Sequence, residues 1–206
     1  MRNNLRNRFY LFIIGIIILT LGVSLTIKAN LGAGSWDSVN VGLNNNFRLS
    51  VGTFAFVIAI IMTIIAGILR KGKFSFYTLG TALLLSSCTD FWLFIVSKIP
   101  LNYSFSNRIT YFILGILILS IGLAMYLTPN LAPNSLDDCM MAFKDRFNLS
   151  VGMAKLITDS LGIILALIVG GPVGLGTIII TFLVGPLVNI FFNKINRLVK
   201  SDTEVY

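Results

Sequence analysis

Six apolar runs, at 9–27, 51–69, 74–97, 109–127, 151–169 and 173–192, dominate this chain and leave little polar sequence between them. Each is about 20 residues long, the length a helix needs to cross a hydrocarbon core roughly 30 Å thick. Helices are expected because in lipid every backbone N–H and C=O must be satisfied within its own segment. The alternating pattern of a membrane β-barrel is absent. A buried helix of a soluble protein can also be apolar all round. Six of them in 206 residues, with only 12% charged residues, leave too little polar sequence to coat a soluble particle. The expected fold is one all-α polytopic membrane domain of six transmembrane helices.

The net charge is +8. A basic chain can mean nucleic acid, but here the positive residues follow the topology. With the N-terminus inside, the inner segments carry Arg2, Arg6, Arg8, Arg70, Lys71, Lys73, Lys144, Arg146, Lys194, Arg197 and Lys200. The outer ones carry only Lys28, Arg48, Lys98 and Arg108. This positive-inside bias places both termini in the cytoplasm. It makes the basic patches topology determinants and possible contacts for anionic lipid, with no nucleic-acid partner expected. The first run has the flanks of a secretory signal, but it is too long for one and recurs at 109–127.

The sequence matches itself at an offset of 100. NLGAGSWDS at 30–38 meets NLAPNSLDD at 130–138, and FRLSVG at 47–52 meets FNLSVG at 147–152. About 17 of the 45 positions from 8–52 are identical without a gap. The third helices align at a changed offset, LGT at 79–81 with LGT at 175–177. Repeat one therefore covers about 8–97, repeat two about 108–193, and 194–206 is a cytoplasmic tail. Three crossings is an odd number, so consecutive repeats enter the membrane from opposite sides, the inverted repeat found in many secondary transporters.

Each repeat carries the same polar loop, then a short helix too short to cross, then Ser-Val-Gly opening the next run. Ser35 and Ser135 suit N-caps of the short helices, with Asp138 at capping-box spacing from Ser135. Asp37 and Asp137 fall in the first turns, where the helix dipole favours a carboxylate. Ser50 and Ser150 suit the N-caps of the runs that follow. On one reading this is turn and capping chemistry made twice by duplication, at the membrane surface. On the other, the two loops are re-entrant and meet near the bilayer centre, where Asn30, Ser35, Asp37, Asn130, Ser135, Asp137 and Asp138 would hold an ion or small solute. Trp36 against Leu136 and Ser38 against Asp138 would make such a site asymmetric.

Ionisable residues inside the runs cost at least a few kcal/mol, and they usually face the bundle interior or mark a pathway. Lys155 and Asp159 lie on one helix face and can neutralise each other. Asp90 has no partner within its own helix and is a candidate functional group, with Lys155 as a partner across the bundle. Asn189 is polar enough to line a path. Gly185-Pro186 predicts a kink in the last helix. The two cysteines, Cys88 and Cys139, predict no disulfide. The absence of histidine removes Cys/His metal clusters and Ser-His or Cys-His nucleophile pairs. Neither catalysis nor a cofactor is expected.

At NLGAGSWDS, RLSVG, NLAPNSLDD and NLSVG, and again at GGPVGLGT (170–177) and VGPLVNIFF (184–192), the chain resembles the YczE/YitT-like family of bacterial integral membrane proteins. The resemblance implies two tandem halves and a location in the bacterial plasma membrane. The chain departs from the family pattern where Ser35 and Ser135 replace a proline, where the second loop lacks both glycines, and at Leu136 in place of a common arginine. The resemblance implies no activity. The inverted repeat, duplicated loops and buried charges favour a small secondary transporter of an ion or small solute, with a homodimer allowed by the small size. A scaffold or lipid-handling protein assisting a membrane-associated complex is the alternative.

Overall fold

The structure, a computed structural model, describes residues 2–100 and 104–201. Among the described residues it has eight helices and no strand: α1 (Arg2–Ala29), α2 (Ser35–Phe47), α3 (Val51–Leu69), α4 (Tyr77–Ser97), α5 (Phe105–Leu127), α6 (Ser135–Phe147), α7 (Val151–Ile168) and α8 (Leu175–Ser201). All but α2 and α6 are long and apolar enough to cross a membrane, six in all. They coincide with the six apolar runs. The stretch from 194 to 201, expected as tail, continues α8 as helix, and the rest of the tail lies outside the described residues.

Local signals place the helix ends. Ser50 Oγ accepts from Thr53 N–H at 3.0 Å and Ser150 Oγ from Met153 N–H at 3.2 Å, so both expected N-caps form. Ser35 and Ser135 do not cap: they are the first helical residues, and Gly34 and Asn134 hold the cap positions. The loops after α1 and α5 leave the helix through Asn30 (φ 50°) and Asn130 (φ 47°), a left-handed geometry asparagine tolerates.

The centre of the molecule is the pair α1 and α5, which run antiparallel. Gly15 lies against Tyr126, Gly22 against Leu119, Gly115 against Thr26 and Gly122 against Leu19. A Cβ at Gly22 would sit 2.3 Å from the Leu119 nitrogen, and one at Gly122 would sit 2.2 Å from the Leu19 nitrogen. Lipid supplies no hydrophobic drive between helices, so small residues that let backbones touch hold such a seam through packing. At each end an arginine closes it. Arg8 Nε donates to the Pro129 carbonyl at 3.2 Å, and Arg108 Nε donates to the Ala29 carbonyl at 2.9 Å with a further bond to that of Asn30. A cation at a helix C-terminus satisfies orphan carbonyls and meets the negative end of the dipole. Lys28 does the same for α4, donating to the Val96 carbonyl at 2.8 Å and that of Ile99 at 2.9 Å. Arg108 and Lys28 are two of the four basic residues on the expected outer face, and helix termini occupy both. Replacing Arg108 by Gln is expected to lower stability by about 1–3 kcal/mol. In a detergent melt Arg48→Gln, whose side chain has no hydrogen bond among the described residues, should leave the midpoint in place.

The remaining helices pack around the seam in matching fashion. α4 lies on α1 and α8 on α5; α6 lies on α3 and α2 on α7; α2 contacts α3 and α6 contacts α7. Two contacts break the pattern, and the smaller is that of α4 with α6, which has no comparable counterpart between α8 and α2. α3 packs closely on α4, and no comparable contact joins α7 to α8. Large apolar side chains such as Ile60, Ile64, Leu84, Phe91, Ile164 and Phe182 point outward around the bundle, as they must on a lipid-facing surface.

Candidate functional site

The first turns of α2 and α6 meet across one cavity of about 350 Å³. The depth at which they sit follows from their partners. Ser35 Oγ donates to Asp159 Oδ1 at 3.2 Å, near the middle of α7, and Ser135 Oγ donates to Thr78 at 3.2 Å while accepting from Thr63 of α3 at 3.0 Å. Thr20 and Leu119, from mid-length of the central pair, line the same cavity. Each short helix then runs outward along its partner: Val39 packs with Ala166, and Cys139 with Ala66.

The loops that carry α2 and α6 to this position are anchored on other helices. Gly176 N–H donates to the Leu31 carbonyl at 2.9 Å, and Ala33 N–H to that of Pro172 at 3.3 Å. Gly32 has φ 119°, and a Cβ there would lie 2.6 Å from the Thr177 nitrogen, so both conformation and space require glycine. In the second loop Thr81 Oγ1 donates to the Ala132 carbonyl at 3.2 Å. Each loop is thus held by the opposite half of the chain.

Charge is placed unequally around the cavity. Asp37 and Asp137 face it from the two short helices, and neither carboxylate has a hydrogen bond or ion pair among the described residues. Burial pushes the Asp37 carboxyl up to about 6. Asp137 is also raised, by burial first; Lys155 opposes the shift, and Asp159 and Asp138 add to it. On α7, Lys155 Nζ donates to Asp159 Oδ2 at 2.8 Å. The equivalent positions of α3, offset by 100, are Ala55 and Ala59, which line the opposite wall. Apolar side chains, Trp36 and the hydroxyl-bearing Thr20, Ser86, Thr89, Thr158 and Thr181 complete the enclosure.

The structure thus gathers Ser35, Asp37, Asp137, Lys155 and Asp159 around one space, with Ser135 behind it. The others lie elsewhere. Asn30 and Asn130 are exposed turn residues. Asp138 is buried beneath Arg70, whose Nη1 reaches both carboxylate oxygens at 2.8 Å and whose Nη2 donates to the Asp138 carbonyl at 3.1 Å. That pair fastens α6 to the end of α3, so Asp138 does not close a capping box. Asn189 is exposed, accepting from Asn193 at 3.4 Å. Asp90 does not meet Lys155: it accepts from Gly52 N–H at 2.7 Å and from Ser50 Oγ, joining α4 to the start of α3.

One cavity residue escaped the reading of the sequence. Asn40 is 5% exposed, lines the cavity and has a buried Oδ1 with no hydrogen-bond donor. Its signal was present, since Trp36, Val39, Asn40 and Leu43 form the inward stripe of α2 at helical spacing, and an amide there is out of place.

The family whose model matches residues 6–193 is described as a family of unknown function, DUF6198. The chain is similar to the uncharacterized protein YyaS of Bacillus subtilis, 32% identical over 89% of this chain and 92% of that one. It is also similar to the uncharacterized membrane protein YczE of the same organism, 27% identical over 90% of this chain and 85% of that one. An uncharacterized protein of Haemophilus influenzae is 31% identical over 88% of this chain and 81% of its own length. No solved structure matches. With six membrane-length helices and a match that runs from α1 to α8, the chain is an integral membrane protein that belongs to the YczE-like family DUF6198.

Proposed function

We propose that the protein is a small secondary transporter that holds an ion or small solute in the cavity between α2 and α6. The observation that carries this reading is a charged, partly enclosed cavity at the mid-depth of helices that cross a membrane. In this reading the halves are inverted repeats, supported by the antiparallel α1–α5 seam and the matched contacts of the two halves. The loops at 30–34 and 130–134 are re-entrant, supported by the contact of Ser35 with Asp159 near the middle of α7 and by that of Ser135 with Thr63, more than a turn inside the end of α3. Broken backbone at membrane depth is tolerated where it lines a cavity, as here. The termini lie in the cytoplasm of a bacterial cell by the distribution of Lys and Arg.

The larger of the two breaks in the matched contacts, that between α3 and α4, supplies a gate. Between α3 and α4, Gly52 abuts the Ser86 carbonyl and Asp90 bonds Gly52 and Ser50. At the equivalent position between α7 and α8, Gly152 has nothing within 4 Å and Pro186 stands where Asp90 stands in α4. With the N-terminus inside, the closed wall faces out and the open one faces in. Exchange of the two wall conformations would carry the opening to the other side, with Asp90 as the latch of the outer gate.

The test is labelling by a membrane-impermeant thiol reagent of Thr181→Cys, a cavity position, after Cys88 and Cys139 are replaced by Ala. Labelling is expected from the cytoplasmic face in inverted vesicles, and Asp90→Ala should expose the same thiol to the outside in intact cells. A thiol that neither face reaches, or that Asp90→Ala leaves sealed from outside, would remove the transport reading and favour the scaffold.

A further inference from the structure

We infer that the cavity binds a small organic cation, an ammonium group on an apolar body, met by Asp37 and Asp137 beside the amide of Asn40. On the transport reading, from which this inference starts, that cation is the cargo.

Three carboxylates (Asp37, Asp137 and Asp159) face the cavity against one ammonium, that of Lys155. Lys155 is committed to Asp159, and the Ser35 hydroxyl takes the other oxygen of that carboxylate. Asp37 and Asp137 are left without an ion-pair partner at a depth where an uncompensated carboxylate is costly. Asn40 adds an independent sign. Its buried Oδ1 is an acceptor without a donor, in a molecule where it is the one such side-chain atom among the described residues. The two unpaired carboxylates call for a ligand that brings N–H donors or positive charge, and they would repel an anion.

The rest of the wall fixes the body of the ligand. Val23, Ile58, Leu85, Leu123 and Ile180 are apolar, and Trp36 offers an aromatic face to a cation. Among the described residues no three carboxylate, cysteine or histidine groups lie close enough to hold a metal ion. The space, about 350 Å³, is at the small end of sites for such ligands.

The second tryptophan of the chain is Trp92, whose indole bonds the Ile17 carbonyl outside the cavity. In a Trp92→Phe background the fluorescence of Trp36 therefore reports occupancy. Four probes share one ring and differ in charge: phenethylammonium, benzyltrimethylammonium, benzyl alcohol and benzoate. Either cation is expected to change the fluorescence saturably, and the neutral and anionic probes are not. Asp37→Asn with Asp137→Asn should weaken cation binding roughly tenfold or more. Lys155→Gln should tighten it, a change opposite to any loss of structure, because it removes the competing positive charge. Saturation by benzoate in preference to the cations, an Asp37→Asn/Asp137→Asn protein of unchanged affinity, or no saturable response to either cation would overturn the inference. Flux into proteoliposomes separates the two readings: cations that bind but do not cross uphold the site and remove transport, whereas benzoate that binds and crosses upholds transport and removes the cation.

Discussion

Gly22→Leu is expected to yield no folded monomer, judged by fluorescence-detected gel filtration of a fused reporter in detergent. The new Cβ would lie 2.3 Å from the Leu119 nitrogen and 2.6 Å from its Cα. Those atoms belong to a helix backbone and cannot turn aside as a side-chain tip would. The whole α1–α5 pair would have to separate, loosening the contacts that α4 and α8 make with it and the bonds of Arg8 and Arg108 at its ends. Inserting bulk into a well-packed core costs about 1–3 kcal/mol when side chains can yield. With backbone opposed on a central seam, the expected loss is at least about 4 kcal/mol, in the range reserved for structural failure. Gly80→Ala is the control. It lies in α4, where an added Cβ would meet nothing within 4 Å, and it should be neutral or gain up to about 1 kcal/mol from helix propensity. If Gly22→Leu behaved like Gly80→Ala, the close seam would be refuted.

Asp37→Asn should make the protein more stable and, on the transport reading, leave it without transport. The folded carboxyl titrates near 6, above its ordinary value of 3.8, because burial disfavours its charge. Between those two values the folded state keeps a proton that the unfolded chain has released. Stability therefore falls as pH rises through the window from 3.8 to 6 and is level above it. A shift of about two units corresponds to about 3 kcal/mol, which asparagine recovers at neutral pH because it carries no charge to desolvate. A rise in melting midpoint of roughly 5–10 °C is expected near neutral pH, shrinking toward zero as the pH approaches about 4. Asp37 is the cleaner test of the pair, since Asp137 also feels Lys155, Asp159 and Asp138. An Asp37→Asn protein less stable at neutral pH would mean that the carboxylate is structural. Stability gained when activity is lost is the expected mark of a group kept for function.

Much of this arrangement was legible from the residues. Each of the six apolar runs became a helix, with α1 and α8 running on past their runs at the chain's two ends, because length and hydropathy are set by the membrane itself. Ser50 and Ser150 cap as the sequence indicated, since capping is decided within a few residues. Lys155 and Asp159 pair because their spacing on one helix leaves little else for them to do. Contacts that join distant segments were not legible. Asp90 finds Ser50 and Gly52, about 40 positions away, through the approach of α4 to α3. Asp138 goes to Arg70 across 68 positions, which no local capping rule could reveal. Ser35 and Ser135 missed the cap by one residue because each is drawn inward to a partner on another helix.

The alanines at 55 and 59 have a consequence for how such a chain can change. A half-length ancestor forming antiparallel pairs would present the same residues on both walls, and any charge it acquired would appear twice. On the inverted-repeat reading, carrying the two halves in one chain releases each wall from its counterpart. Lys155 and Asp159 can then arise on one side while the other stays bare, and neither change touches the glycines that hold the copies together. Relatives that share the seam are thus free to differ at a handful of positions on a single wall. On the transport reading, selectivity could drift there while the α1–α5 seam is kept.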